Sequence, residues 1–156
     1  MADRLGHLDD RGNAHMVDVG DKLPTRRRAV AESVVSMSDE ARSLLFGGGL
    51  AKGDALAVAR VAGIMGAKRT PDLIPLCHPI GLDSVTVDIA ETDTGARIEV
   101  TCEIEAKTGV EMEAMTGASV AALALYDMVK GIDRGVVIGP VQLLAKSGGR
   151  SGDWTR

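Results

Sequence analysis

Aromatic side chains are almost missing from this chain of 156 residues, which has one Trp, one Tyr and one Phe. Its core must therefore be assembled from Val, Ile, Leu, Ala and Met. Each of these buries less apolar area than a ring does, so burial between subunits would be a natural supplement. The same scarcity excludes a sheet that reads RNA by stacking bases on exposed rings, because the three aromatics share no strand. Cysteine is equally sparse. Cys77 and Cys102 are alone, with no CxxC, and the three histidines have no paired spacing. That excludes a disulfide framework and a structural zinc site. With no signal-peptide pattern at residue 1, a reducing, cytoplasmic setting is expected. Long apolar runs are absent too: Ala55 to Ala67 is interrupted by Arg60 and is too short to span a bilayer. Nor is there an excess of positive charge. A net charge of −4 argues against nucleic acid or an anionic membrane as partner.

What remains is a chain of one domain, residues 1–156, long enough to bury a core without crosslinks. Residues 1–19 are polar and lack a sustained period, and order is expected there only where a partner holds them. Arg28 to Met37 reads as a strand. Ser38 is a good N-cap, followed by Asp39 and Glu40, for a short helix that Gly47-Gly48-Gly49 stops. Asp54 caps a second helix to about Arg69, ended by Thr70-Pro71. On it Ala55, Ala59, Gly63 and Ala67 recur every four residues, a face small enough for a helix or a subunit to pack closely. Thr70 to Pro79 is Pro-punctuated and irregular.

Val85, Val87 and Ile89 alternate with polar residues, as do Ile98, Val100, Cys102 and Ile104. Thr92-Asp93-Thr94-Gly95 between them supplies the turn of a hairpin. Glu111 to Ile132 is the longest helix, apolar on most sides and hence largely buried. Val136 to Leu144 is a last strand, and residues 147–156, rich in Gly and Ser, are expected to be mobile. The order strand, helices, strand, strand, helix, strand predicts an α+β fold. Its form is ferredoxin-like, an antiparallel sheet with helices packed on one face.

The densest polar cluster falls on the helix that should be most buried. Thr108 to Glu113 opens it and Tyr126 to Lys130 closes it. A carboxylate among apolar neighbours is costly unless paired or functional. By spacing alone, Asp127 and Lys130 form an ordinary helix pair. Lys52 stands between the glycine run and Asp54, at a helix N-terminus where phosphate is attracted, yet no P-loop pattern surrounds it and a solvated loop lysine fits equally well. His78 follows Cys77 directly, and neighbours in extended chain point apart, which disfavours a thiol–imidazole couple. Pro75 and Pro79 fix their loop and favour a binding role. Arg26-Arg27-Arg28, Lys68-Arg69 and Lys146 to Arg150 are basic clusters that each read, alone, as solvated faces. Gly148 to Gly152 could wrap a phosphate or form a flexible tail.

Together these stretches are far more specific. HMVDVGDK at 15–22, KGDALAVARVAGIMGAKRTPDLIPLCHP at 52–79, KTGVEMEAMTGASVAALALYDMVK at 107–130 and VIGPVQLLAKSGGRSG at 137–152 closely resemble the cyclic pyranopterin monophosphate synthase family, MoaC. The resemblance implies a lyase of molybdenum cofactor biosynthesis. Its substrate would be 3′,8-cyclo-7,8-dihydroguanosine 5′-triphosphate, a small molecule derived from GTP, and its products cyclic pyranopterin monophosphate and pyrophosphate. It implies Asp127 as catalytic residue, with Lys52 and Lys130 as its acid/base or phosphate-binding partners. Leu76, Cys77, His78, Glu111, Met112 and Glu113 become substrate-binding candidates, joined by Lys68 and Lys146 from the basic clusters. It also implies a homo-oligomer, a hexamer built as a trimer of dimers with sites at the dimer interface. No redox cofactor is implied, and Mg²⁺ would suit a triphosphate without being demanded by any residue.

Gly117 and Arg150 stand where the family pattern leads one to expect Ala and Lys, and Leu23-Pro24 with Arg26 and Arg28 is unusual. The competing expectation is a non-catalytic module of the same fold that senses a nucleotide, which would bind the triphosphate without turning it over.

Overall fold

The computed structural model describes residues 8, 9 and 11–156, so part of the expectation for residues 1–19 lies outside the described residues. Four main strands and three longer helices alternate as expected: β1 (Thr25–Ser36), α1 (Asp39–Gly47), α2 (Ala55–Lys68), α3 (Thr70–Leu73), β2 (Ser84–Thr92), β3 (Gly95–Ala106), α4 (Glu111–Val129), β4 (Val137–Ser147) and β5 (Trp154–Thr155). The sheet order is β2-β3-β1-β4-β5, and every neighbouring pair is antiparallel. Without β5 this is the split βαβ arrangement the sequence predicts.

The caps act as read. The Ser38 hydroxyl accepts from the Ala41 N–H, Asp54 accepts from the Ala57 N–H, and Gly48 closes α1 at φ 73°. Thr70-Pro71 does end α2. The segment after it departs from the expected irregular path, because Pro71 also fits the first turn of a helix and opens α3. The register brings Ala29, Ala31, Ser33 and Val35 of β1 beside Cys102, Val100, Ile98 and Ala96 of β3, all buried. α2 and α4 cover this face.

The small-residue face of α2 packs within the chain. A Cβ on Gly63 would stand 3.2 Å from the Gly117 carbonyl oxygen of α4, and one on Gly117 would stand 3.1 Å from that of Gly63. Glycine at both positions lets the two backbones touch. α2 leaves Val58, Val61 and Met65 exposed, and α4 leaves Leu123 exposed.

Within residues 147–156, expected to be mobile, Trp154 and Thr155 form β5 and pair with Lys146 and Ala145 of β4. No helix of the described residues is long and apolar enough to cross a membrane.

Candidate active site

α4 carries two different chemical neighbourhoods, one at each end. At its start, β3 delivers Lys107, and Thr108-Gly109-Val110 turns the chain into the helix. Val110, the N-cap residue, supplies no side-chain cap to α4. A cavity of about 580 Å³ opens here. Its walls bring six cations together from four segments: Lys22, Arg27, Arg28, Lys107, Lys146 and Arg150. One carboxylate, Glu111, faces them and pairs with the Lys146 ammonium at 3.1 Å.

A second cavity of about 450 Å³ adjoins the first and shares Lys22, Thr108, Gly109 and Glu111 with it. It is lined by Leu76, Cys77, His78, Met112 and Glu113, and by Val17 and Val19 of the N-terminal segment. His78 Nε2 donates to the Val17 carbonyl at 2.8 Å, which fixes the proton on that nitrogen, and Lys107 donates to the Gly20 carbonyl at 2.5 Å. These two bonds hold residues 15–22 across the opening. Cys77 and His78 are both in the wall, but the imidazole is engaged with Val17 and no thiol–imidazole couple forms.

Glu113 is 4% exposed, and among the described residues no Lys, Arg or His pairs with it. Burial pushes its carboxyl up to about 7, and the Glu111 carboxylate adds to the rise. Near neutral pH it therefore holds or releases a proton readily. Burial also raises the Cys77 thiol, with Glu113 contributing, and raises Cys102 to about 12, so neither is a ready thiolate.

At the far end of α4 the environment is open. The Asp127 carboxylate lies between two ammonium groups, Lys130 at 2.6 Å and Lys52 at 3.1 Å, and Lys52 also donates to the Asp127 carbonyl at 2.6 Å. The hydrogen bond from Lys130, then that from Lys52, hold Asp127 below the usual carboxylate range. Asp127 in turn raises Lys130. The glycine-rich turn before α2 supplies Lys52, and one turn of helix supplies the other two.

The candidate residues thus fall into two groups. Leu76, Cys77, His78, Glu111, Met112, Glu113 and Lys146 meet at the start of α4, while Lys52, Asp127 and Lys130 meet at its end. Fourteen residues of helix separate Glu113 from Asp127, roughly 21 Å along the axis. Lys68 joins neither group. It is exposed at the end of α2 and lines neither cavity. Lys22, Arg28 and Lys107 were not singled out as contacts in the sequence. Arg27 could have been: it alternates with Arg26 and Arg28 along β1, so it points to the helix-covered side. Among the described residues, no group of three His, Cys, Asp or Glu side chains converges as a metal-binding set.

Residues 16–149 match the family model described as the MoaC family. A relative from Pelobacter propionicus is 58% identical over 155 residues, covering 97% of this chain and 96% of its own length. Relatives from Thermomicrobium roseum and Corynebacterium glutamicum are 56% and 54% identical, covering 97% of this chain and 93% and 97% of their own lengths. All three carry the name cyclic pyranopterin monophosphate synthase.

Proposed function

The chain belongs to the MoaC family, and on that premise we propose that it is a cyclic pyranopterin monophosphate synthase. It converts 3′,8-cyclo-7,8-dihydroguanosine 5′-triphosphate to cyclic pyranopterin monophosphate, with release of pyrophosphate, in molybdenum cofactor biosynthesis. The observation that carries this reading is the pair of joined cavities at the start of α4. One is walled by six cations and suits a triphosphate; the other mixes apolar walls with a protonatable carboxyl and suits a purine-derived ring.

The division of labour follows from the chemistry. Cyclisation needs a sugar hydroxyl oxygen to bond to the α-phosphorus while the bond to the β-phosphate bridging oxygen breaks. The hydroxyl proton passes to a base, and pyrophosphate leaves with the electron pair. Cations around the triphosphate stabilise that departing charge. Ring opening and pterin closure need proton transfers, which Glu113 serves from a carboxyl poised near neutral pH. Leu76 and Met112 are apolar walls for the ring. Lys52 and Lys130, both paired with Asp127, act as proton donors or phosphate clamps.

One ring cannot touch groups some 21 Å apart on the same helix. A second copy running antiparallel beside α4 brings Asp127, Lys52 and Lys130 of one subunit to the cavities of the other. The enzyme therefore works as a homo-oligomer with its sites at a dimer interface, a trimer of such dimers completing a hexamer. Val58, Val61, Met65 and Leu123 supply apolar surface for those contacts. No redox cofactor takes part. The free thiols of Cys77 and Cys102 are compatible with the cytoplasm as its compartment. The test is direct: the purified protein, given the cyclised GTP intermediate, should release pyrophosphate and form the pterin. Tight binding without either product would favour the nucleotide-sensing alternative.

A further inference from the structure

Residues 153–156 make a set of hydrogen bonds out of proportion to what they bury. All four are exposed, Trp154 at 41%. Yet Trp154 and Thr155 pair with Lys146 and Ala145, the Arg156 N–H donates to the Leu144 carbonyl at 2.8 Å, and Arg156 Nε donates to the Leu143 carbonyl at 2.9 Å. The Arg156 guanidinium also lies 5.8 Å from the centre of the Trp154 ring. Such a short, exposed strand adds little to the core. What it does is bring the two ends of segment 147–152 together, and that segment is a wall of the cationic cavity.

The segment is tightly wound. Gly148 and Gly149 adopt φ 89° and 78°, and a Cβ on Gly148 would stand 2.1 Å from the Arg26 carbonyl oxygen. The Asp153 carboxylate accepts from the Gly148 N–H at 3.0 Å, across the base of the turn, and the Gly152 N–H donates to the Gly149 carbonyl at 3.2 Å. Inside the turn the Ser151 hydroxyl accepts from the Lys146 ammonium at 3.1 Å, so the position of that cation is tied to the shape of the loop.

We propose that Asp153 and the Trp154–Arg156 strand are positioning residues for polyphosphate: by clamping the base of the 147–152 turn, they hold Lys146, Arg150 and Ser151 in the arrangement that receives the phosphate chain. This rests on the reading of the cavity as a triphosphate site. An anionic side chain beside such a site would otherwise only repel its ligand, and its acceptor role toward Gly148 accounts for its presence.

Inorganic tripolyphosphate is the probe, titrated by calorimetry into the wild type, Asp153→Ala, Asp153→Asn and a variant truncated after Asp153. Loss of one or two hydrogen bonds that preorganise the loop should raise the tripolyphosphate Kd about tenfold in Asp153→Ala and in the truncated variant. Asp153→Asn keeps an acceptor for the Gly148 N–H and should stay within about two-fold of wild type. With the cyclised GTP intermediate, KM should rise by a similar factor while kcat is nearly unchanged. Tighter binding in both Asp153→Ala and Asp153→Asn would mean that Asp153 acts only through its charge, and would overturn the proposal. So would an unchanged Kd in Asp153→Ala, or no tripolyphosphate binding by the wild type. If the truncated variant does not fold, Asp153→Ala, a change at an exposed side chain, decides alone. A wild type that binds tripolyphosphate with the expected Kd ratios but makes no pyrophosphate would refute the proposed reaction and leave the positioning role standing.

Discussion

The two ends of α4 both carry carboxylates that matter, and they tune them in opposite directions. Glu113 is buried, pairs with no cation among the described residues, and is raised to about 7. Asp127 is exposed between two lysines and is lowered. Burial disfavours charge, whereas a paired cation favours it, so one residue type yields a proton carrier at one end and a fixed anion at the other. The ends differ in shape as well. The start of α4 lines two joined cavities; its end is an exposed charged triad that lines neither of them. The proposed shared site would join these two unlike ends across a two-fold axis.

The largest effect should come from the exposed triad at the end of α4. Lys52→Ala or Lys130→Ala should reduce turnover at least about a hundredfold, the usual scale for removing a positioned acid or base. Because both side chains are half exposed, the melting temperature should hardly move. Activity within a few-fold of wild type would break the comparison, leaving the triad as surface salt bridges. Subunit mixing sharpens it. Glu113→Ala and Asp127→Ala should each be inactive, and a reassembled mixture should regain about a quarter of wild-type activity, since half the dimers are mixed and each of those has one intact site. Exchange demonstrated by mass spectrometry without recovered activity would put both residues in one site of one chain.

These contrasts were only partly legible in the sequence. The order of elements was, because Ser38, Asp54 and the Thr92–Gly95 turn are local signals that act through the nearest hydrogen bonds. The register of β1 on β3 was not, and it is that register which sets Thr25 opposite Ala106 and so brings Arg27 and Arg28 near Lys107. A cation cavity assembled from four segments far apart in the chain has no spacing to read. Lys68 was visible as part of a basic cluster, and like Lys52 it is exposed and lines neither cavity of its own chain. The small face of α2 was legible as a packing surface, while its partner was open until Gly63 met Gly117. β5, at two residues, is too short to show a period, and its glycine-rich approach has the composition of a mobile tail.

The smallest effect is on stability, and it tests the start of α4 directly. A group raised from 4.5 to about 7 in the folded chain binds a proton more tightly there than in the unfolded chain. Its protonation therefore favours folding at low pH, and that advantage is lost as pH climbs from about 4.5 through about 7. A shift of this size corresponds to roughly 3 kcal/mol between the two plateaus. His78 lines the same cavity and is common to the wild type and Glu113→Gln, so the difference between those two chains isolates Glu113. Cys77 and Cys102, both raised, stay neutral throughout that pH range, and the Glu111 carboxylate is engaged with Lys146. Asp127 acts in the opposite sense and elsewhere on the scale. Lowered in the folded chain, it gives stability that is present above the ordinary aspartate range and disappears only as the pH falls through its depressed value. Chemical unfolding followed between pH 5 and pH 8 should show the wild type losing stability as pH rises. Glu113→Gln, which keeps the shape and removes the titration, should flatten that slope and be the more stable chain at pH 8. Asp127→Asn should leave the slope as it is. Equal slopes in the wild type and Glu113→Gln would mean that Glu113 is solvated or paired in solution, and the opposition between the two ends of α4 would fail at the start of the helix.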